Sequence, residues 1–123
     1  MKTKFMLFAV ISIFAFACKK DKTAPSLSIA SPGDNAQSTG VVVIKGTVAD
    51  EHLHTVTLKI TKDATGTTLY SKSLSVDGLT TYAFEEQYDP GVVLVATAVT
   101  LTVECADTNG SKTTKTIKFT LIP

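Results

Sequence analysis

Arginine and tryptophan are both absent from the 123 residues of this chain. Without arginine there is no guanidinium group, the side chain that most often makes two-point contacts with guanine and phosphate. Lysine supplies all of the positive charge, and from Pro25 onward 7 lysines stand against 10 acidic residues. A weakly acidic domain without arginine lacks the positive field that nucleic-acid binding needs. We therefore expect no nucleic-acid partner.

Residue patterns that carry out catalysis are also missing. The sequence has no Ser/His/Asp spacing of note, no glycine-rich phosphate loop and no paired-carboxylate motif, so we expect a non-enzymatic protein. With no tryptophan and only three tyrosines, the sequence gives weak support for a carbohydrate-stacking platform. Cysteine occurs only at Cys18 and Cys105, and the alternating apolar segment around Cys105 predicts an inert core residue there.

The first 17 residues have the organisation of a secretory signal peptide. Lys2 and Lys4 form a positive start, and Phe5–Ala17 is an apolar run of 13 residues that is broken only by Ser12. A permanent membrane-spanning helix needs about 20 apolar residues, so this run is too short to be one. Residues 1–17 are therefore predicted to form an N-terminal signal helix that is removed on export.

Cys18 directly follows this segment, and two cleavage routes fit it. Ala15-Phe16-Ala17 matches the A-x-A pattern of ordinary signal peptidase. A cysteine at the +1 position also resembles the lipobox of bacterial lipoproteins, whose cysteine sulfur receives a diacylglycerol before cleavage. Such boxes usually carry Leu at −3 and a small residue at −2, where this chain has Ala15 and Phe16. We favour lipidation of Cys18 over plain secretion.

Residues 18–24 then read as the lipidated cysteine and a polar tether. Lys19 at the +2 position, in place of Asp, fits release to the outer membrane of a Gram-negative cell. The membrane is thus the first expected partner, through the lipid on Cys18, and the expected location is the cell envelope. Whether the protein faces the periplasm or the exterior is left open.

Residues 25–123 show the short alternating segments of an all-β domain. Apolar residues alternate or cluster in seven segments, near residues 27–29, 42–48, 56–60, 69–76, 82–84, 99–105 and 117–121. Turn residues separate the segments, and Asn109-Gly110 is the strongest hairpin signal. About seven strands in this length predict a β-sandwich with Greek-key topology. The Asp77-Gly78 turn favours pairing of the fourth strand with the fifth, whereas the turn at 62–66 favours pairing with the third, and both stay open.

Loose spacing motifs also resemble bacterial immunoglobulin-like and cadherin-like extracellular domains. The motifs are Ser31-Pro32, Ile44-x-Gly46-Thr47-Val48-x-Asp50, Leu53-x-x-Val56 and Val103-x-Cys105-x-Asp107-x-x-Gly110. The whole mature chain looks most like the single-domain bacterial Ig-like lipoproteins. This resemblance implies an immunoglobulin-like sandwich at the cell envelope, without the tyrosine corner, since Leu101 stands where a tyrosine often sits. It implies no reaction.

The pair His52 and His54 is the sharpest candidate for a metal site. Side chains at i and i+2 of an extended segment point the same way, as some zinc sites require. The sandwich topology would bring Asp50, Asp107 and Asn109 to the same end, where clustered oxygens could hold Ca²⁺. Asp50 and Asp107 are equally explained as turn residues that accept backbone N–H bonds. We assign no metal or cofactor, and keep these five residues as the candidates for a Ca²⁺ or zinc site.

The opposite end of the sandwich carries an unusual connection, Asp89–Ala96. Its Val92-Val93-Leu94-Val95 run does not alternate with polar residues. The sixth strand could begin early there, the loop could plug the end of the sandwich, or the run could be an exposed patch for a partner. The sequence thus predicts an envelope lipoprotein that presents an Ig-like domain for protein contacts or structural support. A glycan- or Ca²⁺-binding module is the alternative.

Overall fold

A computed structural model describes residues 23–123. These residues contain eight strands and no helix. The strands are β1 (Ser26–Ser31), β2 (Gln37–Ser38), β3 (Val42–Ala49), β4 (Leu53–Lys62), β5 (Thr68–Ser75), β6 (Thr81–Tyr88), β7 (Thr97–Asp107) and β8 (Lys112–Leu121). The predicted signal helix lies outside the described residues.

The strands form two sheets, with the order β1-β3-β6 in one and β2-β8-β7-β4-β5 in the other. Every pairing is antiparallel except the short β2–β8 contact, which is parallel. Successive strands switch between the sheets after β1, β2, β3, β5 and β6, so the two sheets pack as the layers of a β-sandwich. The predicted all-β sandwich is confirmed.

Alternation along the strands builds the core between the sheets. In β7 each second residue from Val99 to Asp107 is buried, and the residues between them are partly exposed. One face of β7 therefore packs inward, and β3 shows the same alternation. The buried apolar residues are Leu27, Val42, Ile44, Val48, Leu53, Val56, Leu58, Ile60, Val76, Phe84, Val99, Leu101, Val103, Cys105, Phe119 and Leu121. Among the described residues, the buried apolar core runs from Leu27 to Leu121.

The structure settles which strand β5 pairs with. Val56 lies opposite Leu74, and Ile60 lies opposite Tyr70, so β5 extends the sheet of β4. The Asp77-Gly78 turn carries the chain across to the other sheet rather than closing a hairpin. The eighth strand, β2, was not predicted, because a two-residue parallel contact leaves no alternation to detect.

The registers define two ends of the sandwich. Ser26, the first residue of β1, pairs with Ala49, the last residue of β3. The end of the domain that follows the predicted tether therefore also carries 50–52, 76–80 and 108–111, and we call it the tether pole. The other end carries 32–41, 63–67 and 89–96, and we call it the distal pole. This separation of the loops agrees with the sequence prediction.

Candidate functional site

His52 and His54 lie at the tether pole, on the outer side of the chain where β4 begins. Both are exposed, whereas Leu53 between them is fully buried. Leu53 lies opposite Asp107 of β7, and Asp107 is also buried, at 4% exposure. The Asp107 carboxylate therefore lies on the core side, whereas the two imidazoles lie on the solvent side. The topology brings the candidate residues to one pole. The side chains of His52, His54 and Asp107 are not directed toward a common site.

The two aspartates of the candidate site stabilise turns by accepting hydrogen bonds from backbone N–H groups. One carboxylate oxygen of Asp107, Oδ1, accepts the backbone N–H groups of Asn109 at 2.9 Å and Ser111 at 2.8 Å. Asp50 Oδ2 accepts the backbone N–H of His52 at 2.9 Å. These oxygens satisfy donors that a tight turn leaves unpaired, which is the common role of Asp in turns.

His54 has a partner of its own, because its Nδ1 lies 2.7 Å from Asp77 Oδ1. This pair joins the start of β4 to the turn after β5, and both side chains are about half exposed. Within residues 23–123, no group of three or more His, Cys, Asp or Glu side chains is arranged to hold a metal ion. Asp50 and Asp107 make turn contacts, and His54 makes a side-chain hydrogen bond to Asp77.

Cys105 occupies the core position that its alternation predicts. It is fully buried. Burial, followed by the negative charges of Asp50 and Asp107, raises the pKa of its thiol to about 11. A nucleophilic cysteine needs an exposed setting that lowers this pKa. The environment of Cys105 therefore keeps the thiol protonated and unreactive at neutral pH.

The tether pole also receives the start of the described chain. Thr23 and Ala24 line a cleft of about 410 Å³ together with Asp50, Glu51 and Thr80. The carbonyl oxygen of the next residue, the buried Pro25, accepts a hydrogen bond from the Thr113 hydroxyl. The last residues of the predicted tether therefore run directly against this end of the sandwich.

The Asp89–Ala96 connection combines two of the predicted alternatives. Val93 packs against the core and covers the end of the sandwich. Val92, Leu94 and Val95 point outward and are 86%, 83% and 67% exposed. The predicted sixth strand corresponds to β7. The interpretation that this strand already begins within residues 92–95 is wrong, because β7 begins at Thr97.

Side-chain contacts that the sequence did not suggest join β5 to β6. Each of these strands lies at one edge of its sheet. Lys72 Nζ lies 2.7 Å from Glu86 Oε1, and the rings of Tyr70 and Tyr88 are 5.5 Å apart. Burial raises the pKa of both phenols, and the neighbouring charges of Glu86 and Asp89 raise the pKa of Tyr70 and Tyr88 respectively. Because each ring packs against the other, this pair differs from an open sugar-stacking platform. In the sequence, Glu86 continues the alternation of Tyr82 and Phe84 in β6. This alternation was the sequence pattern that indicated a Glu86 side chain directed toward the other sheet.

The remaining predicted site, the lipidation of Cys18, lies outside the described residues, as do the signal peptide 1–17 and most of the tether 18–24. In the part of the chain that is described, no helix is long and apolar enough to cross a membrane.

Comparisons with known proteins inform the fold. No protein-family model matches the chain, and no curated protein matches its sequence. The crystal structure of an engineered protein is similar over 84% of this chain, with a TM-score of 0.60 and 19% sequence identity. The match covers 21% of that longer chain. At this level of identity the similarity concerns the fold alone, and it agrees with the two-sheet sandwich described above.

Proposed function

We propose that this protein is a cell-envelope lipoprotein whose sandwich domain makes protein contacts or gives structural support without catalysing a reaction. One observation carries the proposal: the register of Ser26 with Ala49 puts the first strand at the tether pole. The chain enters the fold at one end, eight residues after Cys18. A lipid on Cys18 would therefore hold the domain by that end.

The tether is short. From Cys18 to Ser26 the chain spans at most about 28 Å when fully extended. A lipid on Cys18 would thus keep the tether pole within about that distance of the membrane, whereas the distal pole, at the other end of the strands, is the less restricted end. The residues offered to a partner are then those of the distal pole, including Val92 and Leu94.

The anchor itself would be strong. Each buried acyl methylene contributes about 0.8 kcal/mol, and attachment by more than one chain is stable. Lys19 at the +2 position supports an outer-membrane location in a Gram-negative cell. At the tether pole, Asp50, Asp107 and His54 each have a structural partner within the domain, which supports a role in presenting the domain rather than in catalysis.

Replacement of each cysteine in turn tests this function in a bacterial host. We expect the natural chain and Cys105→Ala to incorporate labelled palmitate and to sediment with membranes. Cys18→Ser should lose both the label and the membrane association. Release of the natural chain as a soluble, unlabelled protein would overturn the proposal.

A further inference from the structure

The turn between β7 and β8 exposes an Asn-Gly pair to solvent. Asn109 and Gly110 are both exposed, whereas Asp107 before them is buried. Asp107 Oδ1 accepts the backbone N–H groups of Asn109 and Ser111 at 2.9 Å and 2.8 Å. The Gly110 nitrogen lies between these two donors in the chain and is 3.3 Å from the Asp107 carbonyl oxygen. A hydrogen bond of this length is weak, so the Gly110 nitrogen is the least firmly held of the three amides.

The space around Gly110 is open. Its φ of 92° is a left-handed conformation that glycine adopts without strain, and a Cβ built there would meet no atom beyond the neighbouring residues within 4 Å. The backbone nitrogen that follows an asparagine can reach the side-chain Cγ and close a succinimide ring. Because glycine has no Cβ, it offers the least steric resistance to this closure. Asn109-Gly110 therefore combines a nearby nucleophile with room to react.

Asn35, the other asparagine of the chain, lies in a different setting. It is also exposed, but the residue after it, Ala36, carries a methyl group and packs against the core. The Ala36 N–H donates to the Gly33 carbonyl oxygen at 3.1 Å. The Asn35 N–H donates to the Lys118 carbonyl oxygen at 2.6 Å. The fold thus holds the backbone on both sides of the Asn35 side chain, and the freedom of the following nitrogen distinguishes the two asparagines.

From these contacts we infer that Asn109 is a site of spontaneous modification, where the Gly110 nitrogen converts the side-chain amide to aspartate and isoaspartate. Solvent base removes the N–H proton, the nitrogen bonds to Asn109 Cγ, and the Cγ–Nδ2 bond breaks as ammonia leaves. The product is a succinimide. Water then opens the ring, and cleavage at Cγ gives aspartate, whereas cleavage at the backbone carbonyl carbon gives isoaspartate. The complete reaction turns one amide and one water into one carboxylic acid and one ammonia, with no oxidation or reduction.

Either product changes the turn. Isoaspartate carries the main chain through Cβ and Cγ, which adds one carbon between the N–H groups of Asn109 and Ser111 that share Asp107 Oδ1. Both products also add a negative charge two residues from Asp107, and this charge repels the carboxylate that stabilises the turn. The modified chain is therefore less stable, and its share rises with the age of the protein. This chemistry needs no membrane anchor, so it is independent of the proposed function.

Peptide mapping by mass spectrometry tests the inference on the chain purified from a bacterial host. Samples are incubated for several weeks at neutral and at mildly alkaline pH, and the peptides that contain Asn109 and Asn35 are compared at each time. We expect the Asn109 amide to be lost at least severalfold faster than the Asn35 amide. The rate should rise with pH, because base generates the reactive Gly110 nitrogen, and both product isomers should appear.

The same incubation in guanidinium chloride separates the effect of the fold from that of the sequence. Unfolding releases the Ala36 N–H from the Gly33 carbonyl oxygen, so Asn35 should react faster and the ratio of the Asn109 rate to the Asn35 rate should fall. A larger ratio in the unfolded chain would show that the fold protects Asn109, and it would overturn the inference.

Asn109→Gln gives a stability readout. Its longer side chain must close a larger and less favourable ring, and the backbone N–H that Asp107 accepts is kept. Aged natural chain should unfold at a lower urea concentration than fresh chain, whereas aged Asn109→Gln should keep its fresh midpoint. Equal losses in the two proteins, an unchanged Asn109 after incubation, or aspartate formed without isoaspartate would each overturn the inference.

Discussion

Lys72 of β5 and Glu86 of β6 form an ion pair of 2.7 Å between two strands that belong to different sheets. Each strand is the free edge of its sheet on this side of the sandwich. The Tyr70–Tyr88 ring contact lies on the same two strands. Side chains thus close the side of the sandwich that backbone hydrogen bonds leave open.

A double-mutant cycle with Lys72→Met and Glu86→Gln measures this closure. We expect a small stabilising coupling that weakens in about 1 M NaCl, because the pair is partly exposed and is screened by salt. Urea unfolding of the four proteins gives the coupling. Lys45 and Glu85 are the matched control, since they are 4.0 Å apart and more exposed. An equal coupling in the control pair would contradict a specific role for the Lys72–Glu86 contact.

Gly46 should tolerate no larger side chain. It faces inward opposite Phe84, and a Cβ at this position would overlap Phe84 Cζ and the carbonyl oxygen of Ser28. Gly46→Ala is expected to lower the free energy of unfolding by about 1–3 kcal/mol, because backbone and a buried ring must shift. Urea denaturation measures the change. Gly33→Ala is the control, with open space around its Cβ, and a similar loss there would contradict the packing explanation.

Asp107→Ala should destabilise the β7–β8 turn. The substitution removes the carboxylate that accepts the N–H groups of Asn109 and Ser111, at a cost of about 1–3 kcal/mol. Asp107→Asn keeps the Oδ1 acceptor and should retain most of the stability. Thermal unfolding with EDTA and with Ca²⁺ distinguishes this turn role from a metal role. If Ca²⁺ raised the midpoint of the natural chain and not that of Asp107→Asn, a metal site would replace our interpretation.

Alkaline pH should destabilise the fold in part through Cys105. The pKa of its thiol is about 11 in the fold, against 9.0 as the ordinary value. Between these values the folded chain binds more protons than the unfolded chain, so stability falls as pH rises from about 9 to 11. Tyr70 and Tyr88, whose pKa values are also raised, act in the same direction. Cys105→Ala should therefore lose less stability across this window, as measured by urea midpoints. An identical loss would exclude the thiol as a contributor.

Much of the fold could be predicted because the deciding signals are local. The alternation from Val99 to Cys105 indicates a strand with one buried face, and the Asn109-Gly110 turn indicates the hairpin that joins β7 to β8. Both agree with the structure. Which sheet β5 belongs to could not be predicted from the residues near it in the sequence. The Asp77-Gly78 turn is compatible with a hairpin. It is a crossover in the structure because β5 pairs with β4, whereas β6 belongs to the other sheet.

The candidate site shows the same division. Topology alone was enough to bring His52 and His54 to the pole of Asp107. Their final directions depend on the buried position of Leu53, which turns the imidazoles away from the Asp107 carboxylate. The outward direction of Val92 and Leu94 was likewise hidden, because a run of four apolar residues does not show which member will cover the core.

The mass of the mature N-terminus tests the central claim, that this domain is held at the membrane through Cys18. Protein purified from the membranes of a bacterial host would be digested, and its N-terminal peptide measured by mass spectrometry. We predict a peptide that begins at Cys18 and carries a diacylglyceryl group on Sγ. A peptide with an unmodified Cys18, or one that retains residues 1–17, would contradict the account.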